Sequence, residues 1–170
     1  MSLCTQNLPD PTIANGATAF DVDLWSGDGT DPRSRTLSFG PDLVWIKTRN
    51  QTNWHHLTDS VRAAPNKLYA NSGNAEDTAP IYGQIDSLNS DGFTLGGGTD
   101  SSNPLSDTNQ SGTNYVAWAW DAGSSTVSNT DGSIASSVRA NQSAGFSICT
   151  YTGSTGNQSF GHGLNVKWTT

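Results

Sequence analysis

The chain has 170 residues, a net charge of −7 and a hydrophobic fraction of 33%. That length suits one domain with a real core, and the scattered basic residues offer no positive track for a nucleic-acid backbone. Charged residues make up only 14%, while six Trp, five Phe and four Tyr supply the bulk, which excludes a disordered chain and argues against a helical enzyme.

Residues 1–17 carry Pro9, Pro11, Asn15 and Gly16 and read as an extended N-terminal arm. Phe20, Val22 and Leu24 alternate with Asp21 and Asp23, which predicts a half-buried strand with the aspartates on its wet face. Gly27–Pro32 is turn-rich. Leu43–Ile46 is a continuous apolar run, as in a sandwich-core strand, and Trp54–Leu57 is a short aromatic strand. Lys67–Ala70 is a weaker one. Ile85–Leu88 and Phe93–Leu95 flank Asn89-Ser90-Asp91-Gly92, a hairpin signal. Residues 99–112 read as a polar surface loop. In Asn114–Asp121, Tyr115, Ala117 and Ala119 face one way and Val116, Trp118 and Trp120 the other, which predicts a central strand buried on both sides. Eight or nine strands are expected in residues 18–122, closing as two antiparallel sheets of four or more.

Near its end the chain repeats its beginning. Ala19–Gly27 reads like Gly145–Gly153, and Ser38–Leu43 reads like Ser159–Leu164, with offsets of 126 and 121 residues. A period of that size is a domain, not a solenoid turn. The expected organisation is a complete module over 18–122, a linker and lead-in over 123–143, and the truncated start of a second copy over 144–170. No apolar run is long enough for a membrane span, and the N-terminus lacks the plan of a secretion signal. Cys4 and Cys149 do not fix the redox compartment, and two free thiols are expected.

Several segments carry a resemblance. They include Pro41-Asp42-Leu43-Val44-Trp45-Ile46-Lys47, Ser90-Asp91-Gly92-Phe93-Thr94-Leu95-Gly96, Tyr115–Gly123, Asp131–Ile134 and Gly161-His162-Gly163-Leu164. In order, over nearly the whole chain, they resemble the repeat domain of marine bacteriophage structural proteins, especially cyanophage tail-fibre-like and appendage proteins. The resemblance implies an all-β sandwich or jelly roll of the concanavalin A-like lectin and glucanase type. It implies a place on the virion, assembled in the host cytoplasm, among other virion proteins, and a role in host attachment. It brings no catalytic or ligand residues with it.

Candidate chemistry is sparse. A glycoside hydrolase needs two carboxylates across the scissile bond, and Glu76, the one Glu among fifteen acidic residues, stands alone in a Gly/Asn-rich loop. His55 and His56 point to opposite faces of a strand and cannot share a zinc ion. Calcium remains a candidate, because Asp28 and Asp31 share one Gly-rich loop and Asp100 and Asp107 another. No cofactor beyond Ca²⁺ is suggested. A sugar would need an exposed aromatic ring ringed by polar partners. Trp25, Trp54 and His56 are the candidates, each weighed against simple packing. The sequence therefore points to a non-enzymatic phage module that binds a host-surface glycan or receptor. A carbohydrate-active enzyme with an unusual site and a purely structural spacer stand as alternatives. Homo-oligomers fit a fibre; nucleic acid and membrane insertion do not.

Overall fold

The computed structural model describes residues 15–165. The protein is all-β, in three antiparallel sheets, with one 3-10 turn at Gly16–Thr18 and no α-helix among the described residues. No helix there is long and apolar enough to cross a membrane.

Five strands make the largest sheet: β1 (Phe20–Ser26), β8 (Asn114–Trp120), β3 (Leu43–Thr48), β4 (His56–Asp59) and β5 (Leu68–Tyr69), in that spatial order. A second sheet runs β2 (Arg33–Thr36), β7 (Gly92–Gly96), β6 (Gln84–Asn89). The inner faces of these two sheets share one core. Trp25, Val44, Ile46, Tyr115, Ala117 and Ala119 come from the first sheet, and Ile85, Phe93 and Leu95 from the second. Trp25 stacks on Tyr115 at 5.2 Å and meets Phe93 edge-on at 6.3 Å, so the aromatics join the layers. The sandwich-like arrangement is thus five strands against three, so the smaller sheet falls short of the four strands expected.

The β6–β7 hairpin turns where the sequence predicts. Gly92 there has φ +146°, and a Cβ on it would lie 1.9 Å from the Arg35 carbonyl, so only glycine lets β2 pair with β7.

The faces of β1 are reversed from expectation. Phe20, Val22 and Leu24 are 40%, 43% and 57% exposed, while Trp25 is buried and Asp23 is turned inward. The reason lies in β2, a strand with no apolar signal. Arg35 reaches between the layers, donates to both Asp23 oxygens at 2.6 and 2.7 Å, and lies over the Trp25 ring at 5.2 Å. A charge that is paired, bidentate and stacked can occupy an inner position. Replacing Asp23 with Ala leaves that guanidinium half-buried without its partner, and should cost about 2 kcal/mol in urea unfolding.

Residues 123–143 are not a plain linker. They contain β9 (Thr126–Asn129) and β10 (Ser136–Asn141), which join β11 (Phe146–Tyr151) in a third sheet ordered β11-β10-β9. β9 and β10 are mostly Ser, Thr and Asn, with Val138 as the deeply buried apolar side chain. Apolar alternation could not reveal these two. This sheet docks on the sandwich through Arg139 and Asp42 at 2.6 Å, Asn141 and Asp121 at 3.0 Å, and Phe146 stacked on Trp120 at 5.8 Å. Trp120 also meets Phe20 at 5.2 Å. The two phenylalanines that correspond in the sequence repeat therefore converge on one tryptophan.

Candidate functional site: a cleft over a buried histidine–lysine cluster

The loop after β7, expected as a surface loop, folds back against the sandwich. Its centre, Asp107, Thr108 and Asn109, is buried. Three anchors hold it there. Trp25 Nε1 donates to the Thr108 carbonyl at 3.1 Å, Tyr115 Oη donates to the Ser106 carbonyl at 3.0 Å, and Asn109 ties the loop to residues 28–33. Asn109 Nδ2 donates to Asp28 Oδ1 and to the Thr30 carbonyl, both at 2.8 Å, while its Oδ1 accepts from Arg33 at 2.8 Å.

This folded-back loop meets the segment before β4 and leaves an open cleft of ≈ 380 Å³. Two aromatic rings border it, Trp54 at 42% and Tyr82 at 40% exposure. Asn53, Asn103 and Gln110 also line it. Asn53 Nδ2 donates to the Ser106 carbonyl at 2.6 Å, which fixes the amide and leaves its Oδ1 for a ligand. The amides of Asn103 and Gln110 have no hydrogen-bond partner among the described residues. No lysine or arginine lines the cleft, and Asp107 is its one carboxylate.

Asp107 connects the cleft to a charged cluster beneath. Its Oδ2 lies 2.8 Å from His56 Nε2. On the other side of the ring, Lys67 Nζ faces His56 Nδ1 at 3.4 Å and donates to the Gly83 carbonyl at 2.7 Å. Asp77 stands 4.0 Å from Nζ and accepts from the Tyr69 hydroxyl at 2.5 Å. His56 and Lys67 are 2% and 1% exposed. Burial holds the His56 ring below its usual range, against the opposing pull of Asp107, so the ring is neutral near pH 7. A neutral ring that donates from Nε2 and accepts at Nδ1 satisfies both neighbours. Burial likewise lowers Lys67 to about 8, although Asp107 and Asp77 oppose the shift. The Tyr69 phenol is pushed up, first by burial and then by its bond to Asp77.

The structure separates the sequence candidates. Trp54 borders the cleft. His56 lies below it, reached through Asp107, and touches Tyr69 edge-on at 5.4 Å, as Trp54 does at 4.7 Å. Trp25 belongs to the core and presents no face to solvent. The Asp28 carboxylate is already engaged. Thr30 N and Oγ1 and Asn109 Nδ2 donate to Oδ1 at 2.7–2.9 Å, and Arg33 lies 3.3 Å from Oδ2. These donors, led by the Thr30 N–H, hold its carboxyl well below the usual range. Asp31 Oδ1 accepts from the Gly97 N–H at 3.1 Å, and Asp100 caps Ser102 and Asn103. No three His, Cys, Asp or Glu side chains converge as a metal would require among the described residues. Cys149 is a free thiol, and Cys4 falls outside the described residues. Sequence reasoning missed Tyr82, Lys67 and the amides. Only Lys67 carried a hint, as a lone cation in an otherwise apolar strand segment.

A family described as a domain of unknown function, DUF7483, matches residues 15–169. The chain belongs to that family. The DUF7483 match runs through the sandwich, the cleft and the third sheet without a break. No curated protein and no solved structure matches the chain.

Proposed function

We propose that this DUF7483 domain is a non-enzymatic module of a phage virion, from a tail fibre or related appendage, and that its Trp54–Tyr82 cleft binds an uncharged glycan on the host surface. One observation carries the reading: two half-exposed aromatic rings border a groove in which the Asn103 and Gln110 amides lack a partner among the described residues and Asn53, held through its Nδ2, keeps Oδ1 available. Flat rings accept the apolar face of a sugar, and amides meet its hydroxyls. The ligand class follows from charge. A cleft with a carboxylate at its floor and no cation in its lining disfavours uronates, sialates and sulfated sugars. A lone carboxylate also supports binding over hydrolysis, which needs a second one across the bond. The phage setting rests on the sequence resemblance. A concanavalin A-like sandwich is the fold type we propose for the five-on-three layers, with glycan recognition at loops beside the larger sheet. Weak single sites suffice there, because repeated modules on several fibres act together.

An array of neutral and acidic glycans probed with the intact chain tests the proposal. Binding confined to neutral sugars supports it, and uniform silence leaves the spacer reading in its place. Trp54→Ala should weaken the best ligand about 30-fold, near 2 kcal/mol, measured by titration calorimetry. Its thermal midpoint should fall by only a few degrees, because the half-exposed ring packs only edge-on against Tyr69.

A further inference from the structure

The outer face of the five-stranded sheet carries an apolar row from edge to edge. In register across the sheet lie Val22, Trp118, Trp45, Leu57 and Leu68. A second row begins Phe20, Trp120, Leu43, and Leu24 stands beside Val116. The sequence predicts β8 buried on both sides, yet Trp118 and Trp120 are only half-buried. One spot has a cover from this chain, where Phe146 of the third sheet stacks on Trp120.

The charged groups of this face are tied back to their own chain. The Lys47 ammonium folds back to donate to the Thr48 and Gln51 carbonyls at 2.6 and 2.9 Å. Asp59 accepts from Arg62 Nε at 2.6 Å. His55 lies against Trp45 at 5.9 Å, with its ring held below its usual range by burial and by Lys47.

We infer that this face is the interface between two copies of the chain, packed outer sheet to outer sheet about a two-fold axis. Three features favour a second copy. A face whose few charged groups are already held by their own chain offers little to select a charged partner, and it meets itself with little repulsion, although each chain carries −7 overall. Phe20, Val22, Leu24 and Leu68, 39–57% exposed, together with the half-buried tryptophans present on the order of 500 Å² of apolar surface. Two such faces bury about 1,000 Å², the floor for a specific interface. Where the chain itself reaches this face, at Trp120, it covers it with an aromatic ring from another sheet, the same kind of contact that a second copy would supply.

Sedimentation equilibrium of the full chain tests the inference. At about 100 µM the wild type should have twice the chain mass. Val22→Lys and, at the far edge, Leu68→Lys should each raise the dimer dissociation constant at least about tenfold. Both positions are exposed, and circular dichroism checks that the fold is kept. Val127→Lys, on the third sheet and 55% exposed, should leave the mass unchanged. A monomeric wild type overturns the inference. So does a dimer that both Val22→Lys and Leu68→Lys leave intact, since it must then use another surface. The glycan reading stands or falls separately, because neither lysine lines the cleft.

Discussion

Asp107→Ala should cost about 3–5 kcal/mol of folding stability, among the largest effects of any single side-chain truncation in this protein. The carboxylate accepts from a histidine that is 2% exposed, and that histidine in turn faces a lysine that is 1% exposed. Without Asp107 the Nε2–H of His56 has no acceptor, and Lys67 keeps Asp77, 4.0 Å away, as its remaining counter-charge. Asp107→Asn retains an acceptor and should lose about half as much. Urea unfolding of both variants checks the pair. Equal losses would show that the charge, not the hydrogen bond, matters. No loss from either would show that the cluster contributes nothing to stability.

The same cluster gives the protein an unusual dependence on pH. Lys67 releases its proton near 8 in the folded chain and near 10.5 once unfolded. Between these values the unfolded state binds more protons, so stability rises as pH rises through that interval. The gap converts to roughly 3 kcal/mol at most. His56 acts on the acid side. Its folded value lies below 6.5, so stability is full above 6.5 and declines as the pH falls and the unfolded ring takes up a proton. Tyr69 sets the upper limit. Its phenol is raised above the ordinary 10.0, so the unfolded chain ionises first and stability falls above pH 10. Tyr115, pushed up to about 12 chiefly by burial, adds to that fall. Melting temperatures across pH 5–11 should therefore peak between 9 and 10. A curve that declines steadily from pH 8 would show that Lys67 titrates like a solvated lysine.

Much of the sandwich was legible because its strands announce themselves through apolar runs and turn residues. Leu43–Ile46, the Asn89–Gly92 turn and the alternation in 114–120 each became the expected element. The faces of β1 were not legible, because alternation shows that two faces differ but not which one is covered. Asp23 lies inward only because Arg35 comes to meet it, and nothing in Arg33-Ser34-Arg35-Thr36 marks a strand. The site was harder still. Trp54 and His56 stood out by residue type, yet the cleft exists because a polar loop 50 residues further on is pinned by Trp25, Tyr115 and Asn109. Such pinning uses backbone carbonyls, which every residue carries, and leaves no trace in composition.

Phe20, where the sandwich begins, lies opposite Trp120, where it ends, and the Asp121 N–H donates to the Ala19 carbonyl at 2.9 Å. A pull on the chain at these two points would load the β1–β8 ladder from one end. Its bonds would then break one after another, as in a zipper, instead of sharing the load as in shear. Under tension the domain would yield early and lengthen, behaving as a shock absorber and not as a rigid strut.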